Sequence, residues 1–341
     1  MGLFNRFRSP QRNPQPSSAR PEAVLNPATQ ASVDELIALR QLAGKLDLSQ
    51  RQAARAPLAG GHASRFRGRG MDYQESRNYQ PGDDIRSMDW RVTARTGRPH
   101  TKLYQEERER PVVLCVDLNP GMFFASRGAL KSVVAARAAS LIAWAAAAHG
   151  DRIGALLFNG DHHELPPRGG KHGVLRLIRQ LVTQSDPLEN IQQPPHPEGL
   201  NHALARLRRV SRPGSLIVLI SDYYGINEET GKHLTQLRRH NDLIAIQILD
   251  ALELAPPPPA RYGVSDGRQT GILDTRSANA RQAYADFFEE HHRALQELMR
   301  SRAIALLPLA TDDDVAAVLR QHLTGRAAAA TPSRPAQEAA A

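Results

Sequence analysis

The sequence predicts an α/β protein with a doubly wound, mostly parallel sheet and helices on both of its faces. Five short apolar runs predict the strands, at 112–117, 153–158, 216–221, 243–248 and 304–309. Each run has the length of a strand and is apolar throughout, as is typical of parallel strands that helices cover on both faces. Helical patterns lie between these runs, and the alternation of strand and helix indicates a doubly wound sheet.

The helical patterns differ in composition. The longest of them in the first half of the sheet region, 129–150, is rich in alanine and ends at Gly150. Further helices are predicted at 173–182, 200–210, 227–240, 279–302 and 312–323. The Asn-Gly pair in "FNGDHHELPP" (158–167) predicts an edge hairpin after the second strand. Residues 251–274, which contain four consecutive prolines, are predicted to form a long excursion rather than a core element.

Composition divides the chain into four regions. Residues 1–30 are rich in Pro, Ser, Gln and Asn, and we expect this basic tail and residues 325–341 to be disordered. Residues 31–110 are predicted to hold an N-terminal helix and a small β-like or irregular insert rich in Arg and Asp. Residues 111–324 are predicted to form the α/β domain.

The N-terminal helix is predicted over "SVDELIALRQLAGKL" (32–46). Ser32 is its predicted N-cap, and Glu35 completes a capping box. The residues predicted to share its apolar face are Leu36, Leu39 and Leu42.

Charge and cysteine content limit the classes of function. The net charge is +9, and residues 1–30 and 51–110 carry +3 and +5 of it. Electrostatic contacts with partners should therefore involve the N-terminal third. The single cysteine, Cys115, excludes an internal disulfide and is typical of a reducing compartment. The longest apolar stretch, 138–148, is shorter than the roughly 20 residues of a membrane span. We expect a cytoplasmic protein whose membrane contact is at most peripheral.

Three aspartates follow predicted strands. Asp117 ends the first strand, Asp222 follows the third and Asp250 follows the fourth. In an open α/β sheet, ligands bind outside the carboxyl ends of the strands. Such carboxylates could hold a divalent cation, or they could instead cap a loop or the next helix.

Two of these strand ends resemble the von Willebrand factor A fold. "CVDLNPGM" before a long helix is similar to its first motif, and "LIVLISDYYG" to the strand and loop that carry its last metal-site carboxylate. The resemblance implies a metal-ion-dependent adhesion site, built in that fold from Asp-x-Ser-x-Ser, a threonine and an aspartate. This chain has Asp117, Asn119, Gly121, Glu198 and Asp222 at those positions. The implied Mg²⁺ or Mn²⁺ site is degenerate, with Asp117, Asn119, Glu198 and Asp222 as its candidate ligands, because Gly121 has no side chain to offer.

A second motif lies ahead of the sheet. "Y-x-PGDD-x-R-x-x-DW-x-x-TAR-x-G", from Tyr79 to Gly97, resembles the bacterial family called domain of unknown function fifty-eight, over roughly residues 60–250. The chain resembles the branch without two N-terminal transmembrane helices. The resemblance implies a partner, a MoxR-type AAA+ ATPase, and a role in the maturation, assembly or metal insertion of other proteins. The motif and its flanking arginine comprise Arg77, Tyr79, Pro81, Gly82, Asp83, Asp84, Arg86, Asp89, Trp90, Thr93 and Arg95.

The opposed charges of this motif predict an internal ion network. Pro81 and Gly82 are expected to form a turn in which a neighbouring aspartate bonds backbone amides. Arginine side chains are expected to pair with Asp84 and Asp89, and Trp90 offers an apolar face for a guanidinium. The arginines are Arg77, Arg86, Arg91 and Arg95. We expect the network to fix the insert against the α/β domain.

Three classes of function remain open. The favoured one is a non-enzymatic adaptor that binds proteins and works with an AAA+ ATPase. The second is a metal-dependent hydrolase using Asp117, Glu198 and Asp222, which would also need a placed general base or nucleophile. The third is a binder of nucleic acid or membrane surfaces through the basic N-terminal third. Nucleic acid is not expected, because eight carboxylates in 51–110 offset thirteen cations and net positive charge is the main source of such affinity.

Overall fold

The structure is a computed structural model, and its chain divides into two compact units. The smaller unit spans Ala54–Glu109, and the larger unit combines Met1–Ala53 with Arg110–Ala341. The described residues are 26–46, 48, 71–80, 83–106, 110–191, 194, 196–265 and 270–323. The predicted disordered segments fall outside these residues, except for 26–30.

Ten strands and eleven α-helices lie in the described part of the chain. The strands are β1 (Met71–Asn78), β2 (His100–Glu106), β3 (Pro111–Asp117), β4 (Arg152–Phe158), β5 (His162–Gly169), β6 (Leu216–Ser221), β7 (Asp242–Leu249), β8 (Arg261–Ser265), β9 (Thr270–Asp274) and β10 (Ala305–Ala310). The helices are α1 (Val33–Ala38), α2 (Arg40–Ala43), α3 (Trp90–Thr96), α4 (Lys131–Ala148), α5 (Gly170–Gln184), α6 (Pro187–Asn190), α7 (Gly199–Val210), α8 (Glu228–His240), α9 (Ala251–Leu254), α10 (Ala278–Arg300) and α11 (Val315–Leu323).

The larger unit is built on a six-stranded sheet with the strand order β10-β7-β6-β3-β4-β5. All neighbouring pairs are parallel except β4 and β5. The five predicted strands are present, each with ends within one residue of the prediction. Strand β5 confirms the predicted edge hairpin. The excursion at 251–274 stays outside this sheet and contains the short helix α9 and the β8–β9 hairpin.

Two apolar cores lie on opposite faces of the sheet. Val112, Leu114 and Val116 of β3 pack in one core with α4, α5 and α11. Val113 and Cys115 point the other way and pack in a second core with α7, α8 and α10. This alternation follows from the two-residue period of a strand, and it confirms a sheet with helices on both faces.

The predicted N-terminal helix is present but breaks after α1, and it belongs to the larger unit rather than with the Arg/Asp-rich insert. Ser32 caps it as predicted, because its Oγ accepts a hydrogen bond from the Glu35 amide at 3.2 Å. The Glu35 carboxylate instead accepts from Arg137 Nε of α4 at 2.6 Å. Trp144 Nε1 of α4 donates to the Leu36 carbonyl at 3.1 Å. These bonds join α1 to the long helix of the core.

The predicted apolar face of this helix is only partly buried. Leu36 is fully buried in the core, whereas Leu42 is 41% exposed. The prediction was wrong for Leu42, because the break between α1 and α2 turns its side chain away from the core.

The smaller unit contains an antiparallel β1–β2 pair and the helix α3. Asp89 begins α3 by accepting from the Val92 amide at 3.1 Å, and Gly97, at φ +71°, ends it in the left-handed region that favours glycine. Ser76 Oγ of β1 donates to Asp89 at 2.6 Å, and Thr93 Oγ1 accepts from the amide of His100 in β2 at 3.0 Å. The sequence analysis did not predict α3, because its residues have no apolar periodicity and none of them is buried.

One arginine of the motif pairs with an aspartate that the sequence analysis did not assign to it. Arg77 forms an ion pair with Asp83 at 2.7 Å. A hydrogen bond from the Gln80 amide and the charge of Arg77 hold the pKa of the Asp83 carboxyl below its ordinary value. Asp89 serves instead as a helix cap.

Other motif residues have structural roles or lie outside the description. The amide of Tyr79 donates to the Pro99 carbonyl at 2.9 Å. Trp90 is 65% exposed, and Arg95 lies exposed in the last turn of α3. Pro81, Gly82 and the side chain of Arg86 lie outside the described residues.

Candidate functional site

The ends of three neighbouring strands bring polar side chains together. Strands β7, β6 and β3 are adjacent and parallel, so their carboxyl ends meet at one edge of the sheet, called here the carboxyl edge. Asp117 ends β3, Asp222 follows β6 and Asp250 follows β7. Lys131, the first residue of α4, and Glu253 of α9 join them there.

Asp117 is buried and holds the β3 loop. Its Oδ1 accepts from the amide and Nδ2 of Asn119, at 2.9 and 2.8 Å. Its Oδ2 accepts from Ser221 Oγ at 2.6 Å. Burial and the nearby charge of Asp222 raise the pKa of Asp117 to about 7.

A strained turn after β6 places Asp222. Tyr223 has φ +61°, a left-handed conformation that is unusual for a bulky side chain. Its amide donates to Ser221 Oγ at 2.9 Å, and its hydroxyl donates to the Leu219 carbonyl at 3.0 Å. The next amide, that of Tyr224, donates to Asp222 Oδ1 at 3.2 Å. The turn is therefore held from both sides, and Asp222 is fixed beside Asp117.

Lys131 is a buried cation, with an exposed fraction of 1%. Its Nζ forms an ion pair with Glu253 Oε1 and lies 3.6 Å from Asp222 Oδ2. The Tyr224 ring centroid is 5.6 Å from this ammonium. Burial alone would lower the pKa of Lys131, but the charges of Asp222 and Glu253 raise it above its ordinary value. Lys131 therefore carries a positive charge inside the protein.

Asp250 and Glu253 are fixed by α9. Asp250 caps this helix through the Leu252 amide at 2.9 Å and accepts from Ser126 Oγ at 2.6 Å and Thr311 Oγ1 at 3.0 Å. Glu253 Oε2 accepts from the Asp250 amide at 2.9 Å. Of the two alternatives for the strand-end aspartates, helix capping is the one that Asp250 fulfils.

The other predicted metal ligands are arranged less favourably. The Glu198 carboxylate is exposed and accepts from Asn201 Nδ2 at 2.7 Å. A Cβ added at Gly121 would lie 3.2 Å from Asp222 Oδ2, so a serine there would crowd the carboxylate. Asn119 Oδ1 is buried and has no hydrogen-bond partner within the described part of the chain.

This donor set does not fit a divalent cation. A cation such as Ca²⁺ takes six to eight oxygen ligands. Among the candidate ligands described, Asn119 Oδ1 is a buried oxygen that accepts no hydrogen bond and could bind it. A side-chain ammonium already contacts Asp222, and both oxygens of Asp117 accept hydrogen bonds. Among the residues that the structure describes, no group of three or more His, Cys, Asp or Glu side chains could hold a metal ion.

Exposed apolar residues lie on the loops after β3 and β6 and on helices α9 and α10. They are called here the rim, and they are Phe124, Tyr224, Leu254 and Phe287. Leu254 is the most exposed of them, at 60%. A cleft of about 150 Å³ opens beside Glu253, and its lining includes Leu254, Tyr284, Phe288 and His292.

An aromatic stack supports one side of the rim. The rings of Tyr224 and His291 lie 4.3 Å apart and 6° from parallel. Burial lowers the pKa of His291, so its imidazole is neutral near pH 7. His291 and His292 are both partly buried, and His291 Nε2 lies 3.3 Å from the Asp222 carbonyl, because α10 packs against the carboxyl edge. No sequence signal connects them to Tyr224.

Curated relatives match most of this chain. Uncharacterized protein Rv1480 of Mycobacterium tuberculosis is 30% identical over 289 residues, covering 82% of this chain and 87% of the relative. Uncharacterized protein Mb1516 of Mycobacterium bovis matches to the same extent.

Solved structures also match this chain, at low sequence identity. An aerotolerance-related membrane protein of Bacteroides fragilis is 14% identical, with a TM-score of 0.40, and the match covers 63% of this chain and 96% of that one. A von Willebrand factor type A protein of Catenulispora acidiphila is 9% identical, with a TM-score of 0.35 and coverage of 65% and 43%. An uncharacterized membrane-spanning protein of Vibrio fischeri is 13% identical, with a TM-score of 0.21 and coverage of 62% and 94%.

These findings correct the expected localisation. Two of the similar structures are described as membrane proteins, which contradicts the expectation of a cytoplasmic protein. Helix α4 is long and apolar enough, by length and composition, to cross a membrane, but 83% of it is buried inside the fold. A buried core helix passes the same test of length and composition, so α4 says little about a membrane.

The sequence match identifies the family. The family described as "Protein of unknown function DUF58" matches residues 75–294, which include the whole PGDD…DW…TAR motif and both strand ends that carry Asp117 and Asp222. The larger unit has the von Willebrand A-like architecture that the sequence predicts. The chain therefore belongs to the DUF58 family.

Proposed function

We propose that this chain is a non-enzymatic protein-binding module that works with a MoxR-type AAA+ ATPase in the maturation or assembly of other proteins. The observation that carries the proposal is the apolar rim of Phe124, Tyr224, Leu254 and Phe287 at the carboxyl edge. Exposed apolar side chains that cluster on one surface are typical of a protein interaction site.

The cleft beside Leu254 of the rim supports the same function. Its volume is about 150 Å³, and its lining combines the apolar groups of Leu254 and Phe288 with the polar groups of Glu253, Glu289 and His292, so it can accept one side chain of a partner. Interfaces gain much of their affinity from such an anchor in a pocket. Tyr284 and Phe288, in contact at 4.9 Å between ring centroids, form a preformed wall for it.

The chemistry at the carboxyl edge favours binding over hydrolysis. Ser221 is buried and its hydroxyl donates to Asp117, so a substrate has no access to it. His291 stacks on Tyr224, and Lys131 is enclosed by its two carboxylates. A hydrolase needs a nucleophile or general base within reach of its substrate, and these groups are instead occupied with one another.

The partner class follows from the family resemblance. An AAA+ ATPase supplies the energy in such a pair, and the module described here would recruit or orient the client. Nucleic acid is not the expected partner, because the exposed carboxylates of Asp312, Asp313 and Asp314 follow β10 at this same edge and would repel phosphates.

Native co-purification with mass spectrometry tests the proposal. The wild-type chain should recover a MoxR-type ATPase, and a Phe124→Ser/Leu254→Ser variant should lose most of it. Val210→Ser is the matched control, because Val210 is 41% exposed at the opposite, amino edge of the sheet. Equal recovery by all three proteins would contradict the role of the rim. Recovery of nucleic acid in place of an ATPase would contradict the proposed function itself.

A further inference from the structure

The position of Lys131 at the carboxyl edge carries a further inference. Its ammonium contacts carboxylates from two loops: it pairs with Glu253 of α9 and lies 3.6 Å from Asp222 after β6. Lysine is almost never fully buried unless it is paired, and this side chain has an exposed fraction of only 1%. Buried charges are tolerated where they are paired, and the one positive charge of Lys131 lies between these two carboxylates.

The resemblance to the von Willebrand A fold implies a divalent cation on Asp222, which is the carboxylate that Lys131 contacts. The residues around Asp222 also supply fewer ligands for a cation than a metal site does. A Cβ at Gly121 would lie only 3.2 Å from Asp222 Oδ2, so a side chain there would crowd the carboxylate, and the exposed Glu198 is hydrogen-bonded to Asn201. The ligands that would complete a metal shell are missing, while a cation of the protein itself is present.

The geometry points to Lys131 as the resident cation of the carboxyl edge, with its ammonium taking the place of the divalent metal. The site is then independent of metal ions. Lys131 joins the loops after β6 and β7, because Asp222 belongs to the first and Glu253 to the second. The Tyr224 hydroxyl of the first loop also donates to Glu253 Oε1, at 3.4 Å.

This assignment also changes how the edge can bind a partner. A metal with an open coordination position can accept a carboxylate from another protein, but the ammonium of Lys131 is enclosed and offers no free position to solvent. The exposed groups nearest the ion cluster include the apolar side chains of the rim. Recognition at this edge therefore depends on the rim, and the cluster only holds the rim in place. The assignment of Lys131 itself does not depend on the identity of the partner.

Binding of Mn²⁺ to the full-length chain tests the inference, measured by the loss of the free-Mn²⁺ signal in electron paramagnetic resonance. The wild type should show no saturable binding that differs from that of Asp222→Asn. Lys131→Met removes the charge but keeps an unbranched side chain, and it should bind one Mn²⁺ at least roughly tenfold more tightly than the wild type, because two carboxylates are freed for a cation. Lys232→Met is the control, since Lys232 is an exposed lysine on α8.

Thermal unfolding provides a second readout. Lys131→Met should unfold roughly 10 °C below the wild type, and Mn²⁺ should recover part of this loss in the variant but leave the wild type and Lys232→Met unchanged. If Lys131→Met does not fold, the inference is tested by comparing Mn²⁺ binding of the wild type with that of Asp222→Asn. One equivalent of Mn²⁺ bound by the wild type and lost in Asp222→Asn would overturn the inference. A folded Lys131→Met variant that binds no Mn²⁺ would also overturn it.

Discussion

At the scale of single residues, the buried carboxyl of Asp117 should make stability depend on pH. Its pKa is raised from an ordinary value of 3.8 to about 7, by burial and by the charge of Asp222. A carboxyl with a raised pKa contributes stability that is fully present below its unfolded pKa and is lost as pH rises through its folded pKa. The wild type should therefore lose stability relative to Asp117→Asn between about pH 4 and pH 8. The loss is on the order of 4 kcal/mol, since each pKa unit corresponds to about 1.4 kcal/mol.

Urea denaturation of the two proteins at several pH values measures this difference. Asp274→Asn is the control, because hydrogen bonds and charge from Arg276 lower the pKa of Asp274 to about 2. Its contribution is lost only as pH falls below 4, so its profile between pH 4 and pH 8 should run parallel to that of the wild type. A parallel profile for Asp117→Asn as well would show that Asp117 is ionised throughout this range.

The residues of the carboxyl edge were only partly predictable. Asp117 and Asp222 could be placed from the sequence, because each directly follows an apolar run that had to be a strand. Lys131 and Glu253 could not, because they are 122 positions apart and their contact depends on how α4 and α9 begin. In the sequence, Lys131 lies near the start of a predicted alanine-rich helix, and Glu253 lies in a proline-rich excursion. A buried ion pair is produced by tertiary packing, which has no local pattern in the sequence.

At the scale of elements, the docking of α1 on α4 should contribute measurably to stability. Leu36 of α1 is fully buried in the core that contains α4. Leu36→Ala leaves a cavity there, and such changes cost about 2–5 kcal/mol of unfolding free energy. Chemical denaturation followed by circular dichroism should show this loss.

Leu42→Ala is the matched control for this change. It is the same leucine-to-alanine substitution, made in α2 beyond the break, where Leu42 is 41% exposed. Exposed substitutions usually change stability by about 0.5 kcal/mol or less. Equal losses in the two variants would mean that the two leucines are equally buried and that α1 and α2 form one continuous amphipathic helix.

The elements themselves were predicted well where burial dictates the pattern. The strands of the sheet are apolar on both faces because helices cover both, so their ends were predictable to within one residue. Helix α3 was missed for the opposite reason. None of its residues is buried, so it has no apolar face, and it depends on its Asp89 cap and on Gly97. Capping signals are weaker than apolar periodicity when the surrounding segment is rich in opposed charges.

At the scale of the whole molecule, the division into two compact units predicts that damage within the smaller unit stays local. Asp89 is the residue of choice, because its carboxylate accepts from Ser76 of β1 and from the Val92 amide at the start of α3. Asp89→Ala removes both bonds at once and should free α3 from β1. Limited proteolysis should then cut within 71–106 about fivefold faster than in the wild type, while cleavage within 110–323 stays unchanged.

Arg91→Ala is the control for this experiment, since Arg91 is exposed on the same helix and alanine favours a helix. Its cleavage rate should match that of the wild type. Faster cleavage in Asp89→Ala with an unchanged rate for Arg91→Ala would show that the aspartate of the DW pair holds α3 on β1. If Asp89→Ala left proteolysis unchanged but reduced recovery of the ATPase, the aspartate would be a contact for the partner instead. The opposed charges of the motif would then belong to a recognition surface rather than to an internal support.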